Sequence, residues 1–171
     1  GIYDDSQKMM FYSGITDTSG GGSLISILSD DAIPINTWMH VACTIDKSGD
    51  ASKMYINGVL QAATDEASDF VASTAAKKIG KNAYSDIRYW NGSLADIRIY
   101  DTVLSAANIQ VLASKINIDS SLGAGTTNLQ AWWKLDEGTG TSAADSSSNS
   151  NTGTLTNFAG TYWNFGEFSV N

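Results

Sequence analysis

The sequence predicts an all-β fold, in which two antiparallel sheets pack as a sandwich or jelly roll with a single short helix. Short apolar segments of alternating character recur along the chain, and turn residues separate them. Only one segment carries a helix-capping pattern. With 16 glycines and one proline in 171 residues, the chain matches this architecture better than a barrel or an α/β fold.

Strand-like segments with flanking turn residues run through most of the chain. They lie at residues 9–12, 24–28, 38–45, 54–56, 59–60, 78–80, 92–100 and 129–135. Asn57-Gly58 joins two of them and readily adopts the positive φ values of a type I′ turn, so it predicts a β-hairpin. The helix is predicted at residues 106–113, with Ser105 as its cap and Ile109 and Leu112 facing inward.

The chain is acidic, with 18 Asp and Glu residues against 10 Lys and Arg residues and a net charge of -8. Nucleic acids and anionic membranes require a basic patch on their partner, and none is visible, so neither is an expected partner. No apolar run approaches the ~20 residues of a membrane span, so no membrane insertion is predicted. The one cysteine, Cys43, lies in an alternating apolar segment and is interpreted as a small core residue.

Three motifs together resemble laminin-G-like and pentraxin-like domains. The first is WMHVA at residues 38–42 with MYING at 54–58, similar to the family's W-x-H-V-A and L-Y-V-N-G stretches. The second, GSLADIRIYD at 92–101, is similar to the family's closing strand. The third, AWWKLDEGTG at 131–140 followed by ADSS, looks like the start of such a domain. This resemblance implies a concanavalin A-like jelly-roll sandwich.

The order of the motifs departs from the family, because the closing motifs come first and the opening motif comes last. Residues 1–119 match the closing part of the pattern, residues 120–128 form a small polar linker, and residues 129–171 match the opening part. The chain is therefore either one permuted domain over residues 1–171 or a slice of a tandem array. If residues 129–171 instead dock on a neighbour, the chain is a strand-donating subunit.

The resemblance implies a non-catalytic binding or adhesion module outside the cytoplasm, on a cell or virion surface. The expected partner is a carbohydrate or a surface protein. The alternative is a structural subunit or repeat of a filament, adhesin stalk or virion decoration that assembles with its neighbours. Enzymatic activity is not expected, because Asp136 and Glu137 are neighbours on a strand and point to opposite faces, whereas a glycosidase needs two carboxylates on one face. The sole histidine, His40, lies where the family uses a structural histidine.

An aromatic cluster just before the closing motif is the predicted ligand site. Aromatic ring faces stack on the C–H groups of sugars, while a carboxylate and a guanidinium bind hydroxyl groups. The residues of this cluster are Tyr84, Asp86, Arg88, Tyr89 and Trp90. The alternative interpretation is that Tyr84 and Trp90 close one end of the core.

A calcium site is the second expectation. The loop at residues 145–153 is rich in Asp and Asn, which offer the carboxylate and amide oxygens that calcium prefers. The resemblance implies Asp145 as the main structural ligand, with Asn149, Asn151 and Asp96 as further candidates. The alternative is a metal-free loop held by Asx turns.

Overall fold

A computed structural model describes residues 2–3, 7–16, 22–46, 52–65, 78–81, 89–114, 127–156 and 163 of the protein. The described strands pair antiparallel throughout, and one short helix accompanies them, so the all-β prediction is confirmed. The elements are β1 (Ile2–Tyr3), β2 (Lys8–Thr16), β3 (Gly22–Leu28), β4 (Val41–Thr44), β5 (Ser52–Ile56), β6 (Val59–Asp65), β7 (Ile97–Tyr100), α1 (Ala106–Ala113), β8 (Leu129–Trp133), β9 (Ser142–Ala143) and β10 (Gly153–Thr154).

The chain divides into two compact units. The first contains Gly1–Trp90 and Ser105–Lys115, and the second contains Asn91–Leu104 and Ile116–Asn171. In the first unit, the strands form two three-stranded sheets with the orders β1-β2-β3 and β4-β5-β6. In the second unit, β7 pairs with β8, and β9 pairs with β10.

Side chains connect the end of β3 to β6 in the first unit. The backbone N–H of Ala62 donates to the Asp30 carboxylate, 2.8 Å from Oδ1. The backbone N–H of Asp30 in turn donates to Oε1 of Gln61 at 2.9 Å. These reciprocal contacts give acceptors to two backbone N–H groups. Without an acceptor, each N–H group that leaves water would destabilise the folded state.

Buried aliphatic and sulfur-containing side chains form the core of the first unit. They are Met9, Ile25, Ile27, Ile33 and Met54. The isoleucines at 25 and 27 lie two apart on β3, as a strand with one buried face requires. Cys43 packs against this core, and burial raises the pKa of its thiol to about 12, so the thiol stays neutral and unreactive at physiological pH. The interpretation of Cys43 as a core residue is confirmed.

The hairpin between β5 and β6 turns at Asn57 and Gly58, with φ values of 50° and 79°. Both values are positive, as a type I′ turn requires, so the predicted turn is confirmed. The turn is also tied to the residue before β4: the N–H of Asn57 donates to the carbonyl of His40 at 2.8 Å, and the N–H of His40 donates to Oδ1 of Asn57 at 2.9 Å. This backbone pairing agrees with the structural interpretation of His40.

Helix α1 begins and ends where the sequence predicts. Ser105 is its cap, with Oγ accepting the N–H of Asn108 at 3.2 Å, and Ile109 and Leu112 are buried. A Cβ atom at Gly58 would lie 3.1 Å from Cα of Gln110 and 3.2 Å from Cβ of Ala113. The helix therefore passes the hairpin turn at a distance that only glycine accommodates comfortably.

Four strand predictions differ from the structure. The segment 129–135 is a strand only as far as Trp133, and Leu135 has a φ of 61°, so Asp136 and Glu137 follow the strand rather than lie on it. Residues 78–80 form a bend rather than a strand, and in the segment 38–45 only Val41–Thr44 pairs in a sheet. Trp38, which lies before that strand, is 50% exposed and not a core residue. The strand predicted at 92–100 begins only at Ile97, because Asp96 has a φ of 53° and breaks the extended conformation.

The described residues contain no helix that is long and apolar enough to cross a membrane. The single described helix, α1, has eight residues.

We expect Gly58→Ala to destabilise the first unit by roughly 2–3 kcal/mol, because it adds a left-handed strain of about 1–2 kcal/mol and crowds α1. Gly140→Ala is the matched control, since Gly140 has a φ of 77° but, apart from its two chain neighbours, no described residue has an atom within 4 Å of the added Cβ. Urea denaturation measures both variants. Equal losses of stability would show that the close approach of α1 contributes nothing.

Candidate functional site

The carboxylate of Asp145 organises the loop that follows β9 in the second unit. Oδ1 accepts the backbone N–H groups of Trp132 and Ser147, both at 2.8 Å. Oδ2 accepts the hydroxyl of Ser147 at 2.8 Å and the backbone N–H of Asn151 at 2.7 Å. A carboxylate has about four lone-pair positions, so each of them faces a donor from the protein.

The two asparagines of this loop hold it against β8. Nδ2 of Asn149 donates to the carbonyls of Leu129 and Gln130 at 3.2 and 3.1 Å. Nδ2 of Asn151 donates to the carbonyl of Gln130 at 2.8 Å, and the Asn151 carbonyl accepts the indole N–H of Trp133 at 2.8 Å. The loop therefore uses its polar side chains to satisfy the backbone of a neighbouring strand.

These hydrogen bonds set the protonation of Asp145. Burial by itself would raise the pKa of this carboxyl, but the backbone N–H groups of Ser147, Trp132 and Asn151 and the Ser147 hydroxyl outweigh it. The pKa of Asp145 is therefore lowered below its ordinary value, because donors around a carboxylate favour its charged form.

A second polar arrangement surrounds the indole of Trp132. Asp96 receives two donors on Oδ1, the indole N–H of Trp132 at 2.7 Å and Nε of Arg98 at 2.9 Å. Cζ of Arg98 lies 4.3 Å from the centroid of the Trp132 ring, and Nζ of Lys134 lies 4.8 Å from a centroid of the same side chain. These are cation–π distances, so two cations and one carboxylate converge on one indole.

Asp145, Asn149, Asn151 and Asp96 do not fit calcium as they are arranged. Calcium requires six to eight oxygen ligands, whereas both oxygens of Asp145 already accept protein donors and the asparagines point their amide nitrogens at β8. Asp96 binds Arg98, a cation that repels a second one. Among the described residues, no group of three or more His, Cys, Asp or Glu side chains is placed to hold a metal. Calcium binding stays a prediction, and the contacts favour the alternative of a metal-free Asx-turn loop.

The predicted aromatic ligand site is described only in part. Tyr84, Asp86 and Arg88 lie outside the described residues. Tyr89 is 59% exposed, and Nζ of Lys81 lies 5.3 Å from its ring centroid. Trp90 is half-buried against the core of the first unit, and its backbone N–H donates to the carbonyl of Gly80 at 2.7 Å. Tyr89 is therefore accessible to a ligand, whereas Trp90 takes the core position that the alternative interpretation gave it.

Sequence reasoning did not assign Arg98, Trp132 or Lys134 to a site. Arg98 and Trp132 are register partners on β7 and β8, although 34 positions separate them in the chain. Asp96 was expected beside Asp145, but the structure joins it to the indole of Trp132, while Asp145 binds the backbone of the same residue. The sequence feature that could have indicated this cluster is the spacing of Asp96 and Arg98, two positions apart in the closing motif.

Comparisons with known proteins give one family and one solved structure. The sequence model described as the Concanavalin A-like lectin/glucanases superfamily, of laminin-G type, matches residues 2–110, more than half of the chain. No curated protein gives a significant match. The chain is similar to the crystal structure of an S-layer domain-containing protein (residues 221–444) from Clostridium thermocellum, with 25% identity and a TM-score of 0.42. The match covers 65% of this chain and 65% of that one, so the chain spans less than two thirds of that structure.

We expect Asp145→Asn to lower the free energy of unfolding at pH 7 by about 2–4 kcal/mol, since the new amide turns a donor toward the N–H groups that the carboxylate accepts. The folded pKa is lowered, so this stability is complete above the unfolded pKa of about 4 and is lost as the pH falls through the folded pKa. Urea denaturation should show that the variant and the original protein differ less in their free energy of unfolding at pH 3 than at pH 7. Asp136→Asn, at an exposed carboxylate of the same unit, is the control. If the difference in the free energy of unfolding does not change with pH, the stabilising role of the charged Asp145 carboxylate is contradicted.

Thermal melting with excess calcium and with a chelator tests the metal site. Because the Asp145 oxygens already have protein donors, we expect the melting temperatures to agree to within about 1 °C. A rise with calcium that Asp145→Asn removes would instead establish calcium as a ligand of this loop.

Proposed function

Because this chain belongs to the concanavalin A-like lectin/glucanase superfamily, we propose that it is a non-catalytic binding module that recognises a carbohydrate on a cell or virion surface. The observation that carries this proposal is the family match over residues 2–110. In a β-sandwich, the site that binds a ligand is formed by individual side chains that the fold carries, especially on its loops. Recognition therefore requires exposed side chains of suitable chemistry rather than a reactive group.

The exposed ring of Tyr89 supports carbohydrate as the ligand. An aromatic ring that is largely in solvent offers its face to sugar C–H groups, and the ammonium of Lys81 beside it is a donor for hydroxyl oxygens. Trp90, next in the chain, packs on the core and anchors the backbone that presents Tyr89. A surface protein that inserts an apolar side chain here is the alternative ligand.

The contacts of the adjacent acids support a non-catalytic role. Oε1 of Glu137 accepts the backbone N–H of Ala144 at 2.6 Å, so this carboxylate holds the chain before the Asp145 loop. Asp136, its neighbour, is exposed. A glycosidase requires two carboxylates about 5–9.5 Å apart on one face of a substrate cleft, and a side chain that is used to hold a loop suits that role poorly.

The pairing of β7 with β8 bears on the second candidate, a subunit that donates a strand to its neighbour. β8 lies in the segment with the family's opening motif, and it pairs within the same chain with β7, in the closing motif. The other edge of β8 binds the loop that follows β9, because the N–H of Trp132 donates to Asp145 and the carbonyl of Gln130 accepts from Asn151. Both edges of β8 therefore have partners within the described residues, and a strand occupied in this way is poorly available to complete another molecule. The pairing therefore favours a permuted, self-contained module over strand donation by this segment.

We propose an extracellular or surface location for this module, on the basis of the family. An acidic chain with a net charge of -8 suits such a place, because like charge keeps surface proteins soluble and reduces nonspecific adhesion.

A glycan array followed by calorimetry on the best ligand tests the function. We expect Tyr89→Ala to weaken binding roughly 3–10-fold, the share of affinity that one aromatic contact supplies. Ile35→Ala is the matched control, because Ile35 is an equally exposed apolar residue without a ring (63%). If Tyr89→Ala binds the glycan as tightly as the original protein, the ligand does not bind at Tyr89. If no glycan binds and light scattering shows polymers that grow with protein concentration, the alternative of a structural subunit is favoured.

A further inference from the structure

Two Asn-Gly dipeptides occur in the chain, at Asn57-Gly58 and at Asn91-Gly92. Asparagine is one of the residues that limit the chemical lifetime of proteins. The backbone nitrogen of the residue that follows it can attack the side-chain amide, and glycine hinders this attack least because it has no Cβ. The sequence alone makes the two dipeptides equally susceptible, so only their folded surroundings distinguish them.

The structure holds Asn57 in place. Its Oδ1 accepts the backbone N–H of His40 at 2.9 Å, and its own backbone N–H donates to the His40 carbonyl at 2.8 Å. Gly58 is buried, and a Cβ built on it would lie 3.1 Å from Cα of Gln110, so α1 leaves this turn little room to change its conformation. An intramolecular reaction requires its two reacting atoms to reach a near-attack arrangement. At Asn57 this requires the breaking of hydrogen bonds inside a packed turn.

Asn91 has none of these restraints. It lies in the irregular segment between Trp90 and β7. Asn91, Gly92 and Ser93 are all exposed. Among the hydrogen bonds of the described residues, none involves Asn91 or Gly92. The Asn91 side chain therefore changes rotamer without breaking a hydrogen bond to the protein, and solvent water reaches both reacting groups.

We propose that Asn91 is a site of spontaneous deamidation in the folded protein, whereas Asn57 is protected by its turn. The backbone nitrogen of Gly92 attacks Cγ of Asn91 and loses its proton. The bond between Cγ and Nδ2 breaks, and the amide nitrogen leaves as ammonia, which takes up that proton. Water then opens the resulting succinimide at either carbonyl and gives aspartate or isoaspartate. Solvent water is the only co-reactant, and no group is oxidised or reduced.

The reaction changes both the charge and the backbone at this position. Each conversion replaces a neutral amide by a carboxylate, which takes the net charge of the chain from -8 to about -9. The isoaspartyl product also adds a methylene group to the backbone. An aged preparation therefore carries a new charge two positions from Tyr89, the residue assigned to ligand contact. Deamidation at Asn91 does not itself depend on that assignment.

Mass spectrometry of tryptic peptides tests this site, because each asparagine lies in a peptide with no other asparagine, residues 89–98 for Asn91 and residues 54–77 for Asn57. The intact protein is incubated at mildly alkaline pH, either folded in buffer or unfolded in guanidinium chloride. In the folded protein we expect Asn91 to convert roughly tenfold or more faster than Asn57, which must first break its hydrogen bonds. In the unfolded protein the two should convert at similar rates.

Isoelectric focusing of folded variants gives a second measurement. Asn91→Gln should remove the acidic band that appears during incubation of the folded protein, because the larger ring that glutamine would have to close forms far more slowly. Asn108→Gln is the matched control, since Asn108 lies in α1 and is followed by Ile109, and it should leave this band unchanged.

Each outcome decides one part of the proposal. If Asn91 stays intact in the folded protein but converts in guanidinium chloride, the exposed segment does not reach the reactive geometry and the site is overturned. If Asn57 converts as fast as Asn91 in the folded protein, protection by the His40 contacts is overturned. If Asn91 converts selectively but no glycan binds to fresh protein, deamidation at Asn91 stands and the proposed function fails.

Discussion

The antiparallel pairing of β7 with β8 is the interaction on which the polar arrangements of the second unit depend. It places Arg98 opposite Trp132, so that the guanidinium and the indole share the carboxylate of Asp96. It also positions the backbone of β8, whose N–H and carbonyl groups bind Asp145 and the two loop asparagines. A shift in the register of this pair would separate Arg98 from its carboxylate and leave a buried charge unpaired, which is why the register is strongly constrained.

Acidic side chains in this protein act repeatedly as acceptors for backbone N–H groups. Asp30 binds the N–H of Ala62, Glu137 binds that of Ala144, and Asp145 binds three such groups. A carboxylate held in this way is stabilised without a lysine or arginine partner, since hydrogen bonds to its charged form offset the loss of water. This use shows how a chain with 18 acids and 10 bases accommodates part of its negative charge.

The family establishes the fold, and the ligand is decided by individual side chains. Tyr89 in the first unit and the cluster around Arg98 in the second are chemically different: one offers an exposed ring and an ammonium, the other a buried guanidinium with an unmet need for an acceptor. Among the described residues, neither arrangement places a nucleophile beside a base.

The sequence by itself determined the features that depend on residues close together in the chain. The type I′ turn at Asn57-Gly58, the Ser105 cap of α1 and the alternation of Ile25 and Ile27 follow from local backbone preferences and hydrophobic period. The family resemblance is confirmed, and two of its three motifs lie within the matched residues 2–110, whereas the motif at 131–140 lies outside them. Only the tertiary structure decided the role of each polar residue. An Asp/Asn loop is equally compatible with calcium and with Asx turns until the N–H groups of Trp132 and Asn151 are placed around Asp145. Asp96, whose left-handed conformation shortens β7, likewise finds its partner only in the folded chain, where its backbone N–H donates to the carbonyl of Lys134, the residue after β8. A carboxylate or a backbone N–H takes its function from the donors and acceptors that folding brings to it.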